Sequence, residues 1–320
     1  MTTIAVVMPN RNDSKFLNKS IDSVLNQSVL PDEFIFIDDN SSDNSILIAR
    51  NKLKNFKKKK IIQNKSNIGA INSCNKGIKY VKSDYLITLS SNDEMDKDLI
   101  LSFKSTVSKF KKRPGIWSAL CWKTINDKKI KFLSPLISHK LVFLNKKEFM
   151  KYCFILGNYF TTPTKIFNKN ELLKIGGFDY RIGGLADWSA GIQLGARCGA
   201  IFYPKYLGSL TIHENNFLSR TLLNNSYKHL ANLMMANGIK FAPKLFKSKF
   251  NDKLVKRIQF SHVRCLLENN IYKNVFFKII YKLSVLLLTK KITGLLIFFV
   301  YRPFDIVYYF YYCLIKRIVK

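Results

Sequence analysis

Tyr85-Leu86-Ile87-Thr88-Leu89-Ser90-Ser91-Asn92-Asp93 carries four apolar residues around a Thr, then three polar residues, then a carboxylate. Such a run reads as a short buried strand that breaks into a polar loop. In open α/β sheets, ligands bind just beyond the carboxyl ends of the strands. A carboxylate there can hold a divalent cation, and the cation can hold phosphate. The same Asp can instead cap a helix that starts near Asp96.

The chain before this stretch repeats its pattern. Ile4–Met8 is an apolar run ended by Pro9-Asn10-Arg11-Asn12-Asp13. Asp13 or Ser14 is placed to cap a helix with Leu17, Ile21, Val24 and Leu25 at helical spacing. Glu33–Ile37 is a second strand ending in Asp38-Asp39-Asn40-Ser41-Ser42-Asp43, with a helix expected over about 44–55. A short strand at Ile61-Ile62 leads through Asn67-Ile68-Gly69 to a helix with Ile71, Cys74, Ile78 and Val81 on one face. Strand and helix thus alternate four times, which predicts a doubly wound, mostly parallel sheet. Right-handed crossovers bring the strand ends to one edge. Those ends carry Asn12, Asp38, Asp39 and Asp93, a pattern expected of a ligand site.

After Asp93, residues 97–111 have helical spacing, and a strand is expected near Gly115–Cys121 with a basic turn at Asn126–Lys131. Thr164–Phe167 reads as a strand and Lys169–Ile175 as a short helix closed by Gly176-Gly177-Phe178-Asp179. Asp187-Trp188 opens a helix to about Arg197. Two further strands are expected near Ala200–Tyr203 and Leu207–Ile212, the second ending at His213-Glu214.

Composition narrows the field less. The chain has 320 residues, 53 Lys plus Arg against 21 Asp plus Glu, and a net charge of +32. That balance suits nucleic acid, an anionic membrane surface or phosphorylated substrates, but a Lys-, Asn- and Ile-rich codon bias produces it too. Six scattered cysteines form no CxxC pair and read as free thiols in a reducing compartment. The first strand starts at once, so no secretory leader is expected. Neither GxGxxG nor GxxxxGK[ST] is present, which argues against dinucleotide and P-loop chemistry. Aromatics do not interleave with the basic runs in any RNA- or DNA-binding motif, which argues against nucleic acid.

Taken together, the motifs resemble those of family 2 glycosyltransferases with the GT-A fold, from Ile4 to about Arg220. Val7-Met8-Pro9-Asn10-Arg11-Asn12 is similar to the first strand and its Pro-x-aromatic-Asn end, with Arg11 in the aromatic's place. Ile37-Asp38-Asp39-Asn40-Ser41-Ser42-Asp43 resembles the acidic nucleotide-binding turn. Asn67-Ile68-Gly69 and Asn75-Lys76-Gly77 resemble the paired Asn-x-Gly segments that precede the metal strand. Leu89-Ser90-Ser91-Asn92-Asp93 stands at the metal-binding Asp-x-Asp position, with Ser90 and Asn92 where Asp is usual. Gly176-Gly177-Phe178-Asp179 and Ala186-Asp187-Trp188 resemble the acceptor-side segment, with Ala186 where Glu is usual.

The resemblance implies an α/β GT-A domain, Rossmann-like, over 1–216, and a helical extension over 217–320. It implies inverting transfer from a nucleotide sugar, a UDP-sugar first because a carboxylate at Asp39 suits uracil N3–H, to a glycan or lipid-linked glycan acceptor in surface polysaccharide synthesis. Asp187 is then the catalytic base. Pro9, Asn12, Asp38, Asp39, Asn67, Gly69 and Asn92 surround the nucleotide. Asp93, with His213 as a further ligand, takes Mg2+ or Mn2+, and Gly177, Phe178 and Trp188 face the acceptor. A processive synthase is disfavoured by the lack of Gln-x-x-Arg-Trp. Between Phe276 and Lys320 stand eight Lys or Arg and one acid, Asp305, among apolar runs shorter than the roughly 20 residues that span a bilayer. This suits in-plane attachment to the cytoplasmic face of the cell membrane; packing on the catalytic domain is the other reading. An alternative function is a catalytically degenerate protein that keeps the fold as a basic membrane-surface or nucleic-acid binding module, for which Ser90 and Asn92 speak.

Overall fold

The computed structural model describes residues 2–125, 128–131, 138–156 and 162–211, then 217, 218, 221, 225, 227–246, 251, 254, 255 and 258. All belong to the first of two units into which the chain divides, Met1–Val263 and Arg264–Lys320. His213 and the basic tail from Phe276 onward lie outside the described residues.

The expected alternation is present. Strands β1 (Ile4–Asn10), β2 (Glu33–Asp38), β3 (Lys59–Gln63) and β4 (Tyr85–Thr88) are separated by helices α1 (Ser14–Leu25), α2 (Ser45–Lys52) and α3 (Ala70–Ile78). The strands pair in parallel in the order β3-β2-β1-β4. Continuous apolar runs form β1 and β2 because both faces are covered by helices, so alternation would expose nothing useful. Ile4, Val6, Met8, Phe34 and Phe36 bury one face against Leu17, Ile21 and Val24 of α1. On the other face α3 comes in close. A Cβ on Gly77 would lie 2.3 Å from Ile37 Cδ1, so only glycine fits without repacking.

The sheet continues through β5 (Glu94–Met95), β6 (Ile116–Ile125), β7 (Lys128–Lys131), β8 (Val142–Leu144), β9 (Ile166–Asn168) and β10 (Ala200–Thr211). β9 lies between β4 and β6 and runs against both. β6 and β10 pair in parallel while β5, β7 and β8 pair antiparallel beside them, so the sheet is mostly parallel at its centre, with β9 the reversed strand inserted there. The two strands expected near 200–203 and 207–212 are one strand. Its register shifts on either side of Tyr206, and bulges of this kind bend a strand without ending it. The basic segment expected as a turn near 126–131 instead contributes β7, which pairs antiparallel with β6.

Helices α4 (Leu99–Val107), α5 (Lys146–Leu156), α6 (Lys169–Lys174) and α7 (Ala186–Cys198) complete this half, with a 3-10 turn at Tyr180–Leu185 leading into α7. Gly115, just before β6, meets α7 with a Cβ position 2.3 Å from the Leu194 carbonyl oxygen. A further helix, α8 (Tyr227–Phe241), follows; its Asn237 Nδ2 donates to Asp179 at 2.9 Å.

Candidate functional site

The ends of β1 and β2 are tied together by their polar residues. Asn10 Nδ2 donates to Asp38 Oδ1 at 3.0 Å, and Asp38 also accepts from the Ser41 N–H and hydroxyl. Asn12 and Asn40 both have φ near +55°, the left-handed region that asparagine tolerates better than most residues. Asn12 Oδ1 accepts from the Ser42 N–H at 2.8 Å, which locks the two loops face to face. Asp13 or Ser14 was expected to cap α1, and Asp13 stands at the N-cap. Its side chain makes no capping bond and instead accepts from the Ser91 hydroxyl at 2.6 Å, joining the first loop to the one after β4.

Asp39 organises the next loop. Its carboxylate accepts from Asn64 Nδ2 and from the backbone N–H groups of Ile68 and Gly69, each at 2.9 Å. Burial opposes its ionisation, but these bonds and one from Ser73 hold the carboxyl below its usual range. Gly69 has φ of +88°, which lets the chain turn its N–H back on Asp39. Asn67 is exposed and accepts from the same Gly69 N–H. Pro9 and Asn92 are half-buried beside these loops.

Asp93 is 1% exposed, and Oδ1 accepts from the N–H of Thr211 at the end of β10. Burial raises its carboxyl to about 7; the Thr211 and Ser90 bonds oppose that rise, and Asp13 and Glu94 add to it. These surroundings favour the neutral acid. A divalent cation beside the carboxylate would reverse that preference. Among the described residues no group of three His, Cys, Asp or Glu is placed to hold a metal by itself.

Asp187 lies in the first turn of α7, where the helix dipole favours an anion. Its Oδ2 accepts from the Thr162 hydroxyl and from the Lys165 ammonium, each at 2.5 Å. Burial works against its charge, yet Lys165, Thr162 and the Trp188 N–H hold the carboxyl below its usual range. Trp188 is buried, and its indole Nε1 meets no partner among the described residues. Phe178 is buried too. Its N–H and carbonyl both bond the Asn75 side chain, and a Cβ on Gly177, at φ +82°, would lie 2.6 Å from Asn75 Oδ1.

Two elements link the surroundings of the three acids. On α3, Ser73 accepts from the Asn64 amide that also reaches Asp39, Cys74 has its thiol pushed up to about 12 by burial and then by Asp187, and Asn75 clamps Phe178. On β6, Cys121 has its thiol raised by burial and then by Asp93, while its Sγ contacts the carbonyl of Thr162, which holds Asp187. Lys165, Thr162, Asn64 and Thr211 were not legible as site residues. Each partners an acid 22 to 118 positions away, or 25 in two cases, and no local spacing signals such a pair.

Residues 5–152 match the family model described as glycosyl transferase family 2. An uncharacterised glycosyltransferase of Haemophilus influenzae is 36% identical over 104 residues, which cover 31% of this chain and 42% of the relative. A poly(ribitol-phosphate) beta-glucosyltransferase of Bacillus spizizenii is 24% identical over 193 residues, 53% of this chain and 30% of that one. The chain thus spans less than half the length of the curated relatives it matches. Among solved structures, Staphylococcus aureus TarS 1–349 in complex with UDP superposes with a TM-score of 0.63 at 14% identity, covering 86% of this chain and 75% of that one. A mannosyltransferase of Pyrobaculum calidifontis in complex with GDP-Man and Mn2+ gives 0.57 at 13% identity, covering 90% and 81%. At these identities the likeness is one of fold.

Proposed function

We propose that the chain, matched over residues 5–152 by the glycosyl transferase family 2 model, carries out a metal-assisted, inverting transfer of a sugar from a nucleotide-sugar donor to a hydroxyl of a glycan or lipid-linked glycan. The observation that carries this reading is the path from Asp93 through Cys121 to Thr162 and Asp187, with Asp187 held ionised and the Asp93 carboxyl raised by burial to about 7. Asp187 accepts the proton of the acceptor hydroxyl as its oxygen bonds the anomeric carbon. The bond from that carbon to the diphosphate breaks with its electron pair, and the nucleoside diphosphate leaves.

Asp93 would hold Mg2+ or Mn2+, which when bound neutralises charge on the diphosphate. The loops of Pro9, Asn12, Asp38 and Asp39 hold the nucleotide at the ends of β1 and β2. Asp39 does so by fixing Asn67-Ile68-Gly69 beneath it. Gly177, Phe178 and Trp188 shape the acceptor side. UDP is the first donor to test, because the TarS structures contain UDP or UDP-GlcNAc. A phosphate-bearing acceptor suits the net charge of +32, and two relatives are named for poly(ribitol-phosphate).

The test is transfer by the purified chain with a panel of nucleotide sugars, with and without Mg2+ or Mn2+. Asp187→Asn should lower turnover by about 10²–10⁴-fold with the fold intact. A wild-type protein that binds no nucleotide sugar sinks the enzyme reading and leaves the degenerate binding module.

A further inference from the structure

Lys165 immediately precedes β9 and is 2% exposed. Lysines are almost never buried to this degree unless paired. Its partner is Asp187, at 2.5 Å. The stem lies along α7 at Gly191, one turn beyond Asp187. A Cβ there would stand 3.8 Å from Lys165 Cδ and 3.1 Å from Ile116 Cδ1. The stem is thus within ordinary van der Waals reach of that turn of α7. Thr162, three residues earlier in the chain, donates to the same oxygen. With Oδ2 engaged twice, the carboxylate is oriented.

Of the charges on the elements packed against α7, Lys146, Lys147, Glu148 and Lys151 stand on α5. Glu171 of α6 pairs with Arg197 at the far end of α7, and Asp179 pairs with Arg181. The Cys74 thiol of α3 faces Asp187 and is held protonated by burial. We propose that Lys165 is the positioning residue of the reaction, fixing and charging Asp187 from beneath while that carboxylate takes the acceptor's proton. This rests on the base assignment made above. It also accounts for a base that needs no acidic neighbour at Ala186: the ion pair supplies the orientation.

The experiment compares wild type with Lys165→Met and Lys165→Arg. Two readouts are taken: the pH profile of kcat/KM, and the titration of the Asp187 carboxyl by carbon NMR. In Lys165→Met the acid limb and the titration should both move upward by about one to three pH units, because an opposite charge in contact lowers a carboxyl by that much. Lys165→Arg should keep the acid limb near that of wild type with reduced kcat, and UDP affinity should be unchanged in both. If Lys165→Met does not fold, Lys165→Gln, which keeps a donor without the charge, is judged by the same criterion. An active wild type with a neutral variant whose limb and titration stay in place overturns the inference, because a lysine that charges and fixes Asp187 must move both. A wild type that transfers no sugar removes the function proposed above, and the positioning role with it.

Discussion

At the scale of single residues, Asp39 and Asp93 show opposite uses of a buried carboxylate. Asp39 receives hydrogen bonds enough to stay charged. Asp39→Asn would aim an amide at backbone N–H groups that need an acceptor, at a cost of about 1–3 kcal/mol. We expect nucleotide affinity to fall about tenfold or more, read by calorimetry with UDP. Asp93 instead ionises near 7 in the folded chain, against about 3.9 when unfolded. Between those values the folded state binds the extra proton, so stability falls as pH rises through the window and stays reduced above it. Asp93→Asn should flatten this dependence and raise Tm at pH 8 by roughly 2–4 °C per kcal/mol recovered, while abolishing transfer. Melts at pH 5 and pH 8 without metal check the sign. Mn2+ with UDP should stabilise wild type and not the variant.

At the scale of elements, the site depends on how closely α3 and α7 approach the sheet. Gly115 touches the backbone of α7 at Leu194, and a backbone atom cannot rotate away as a side chain can. Gly115→Ala should cost about 1–3 kcal/mol in denaturant midpoint. Because α7 carries Asp187 and the loops proposed to hold the nucleotide sit on β1 and β2, kcat should fall while UDP affinity holds. The first four strands and their helices were readable from sequence because buried parallel strands need unbroken apolar runs and their helices need 3.6-residue spacing. The half beyond Asp93 was read less well. β10 was split in two at Pro204 and Lys205, where bulges interrupt the pattern. β7 was taken for a turn because Lys128, Lys129 and Lys131 carry no strand signal of their own and are held by pairing with β6.

At the scale of the whole molecule, Met1–Val263 forms one compact unit and Arg264–Lys320 a second. No helix among the described residues is long and apolar enough to cross a membrane. We propose that the basic, apolar tail attaches the protein to an anionic membrane surface. The full chain should co-sediment with phosphatidylserine vesicles at low salt and be released near 0.5 M, where screening lengths shrink to a few ångströms. A 1–263 fragment should melt cooperatively and stay in the supernatant. Binding by the fragment equal to that of the full chain would assign attachment to the catalytic unit.

By itself the sequence determined the parallel half of the sheet, and it delivered Asn12, Asp38, Asp39 and Asp93 to its carboxyl-end edge, because apolar periodicity and strand-end polarity are local properties of a chain. Only the tertiary structure decided that β9 enters the sheet reversed, that Thr211 and Ser91 fasten the loop of Asp93, and that Lys165 lies under Asp187. Those pairings join residues distant along the chain. Their energies exist only once water has been excluded from both partners, so nothing in the spacing of either residue announces the other.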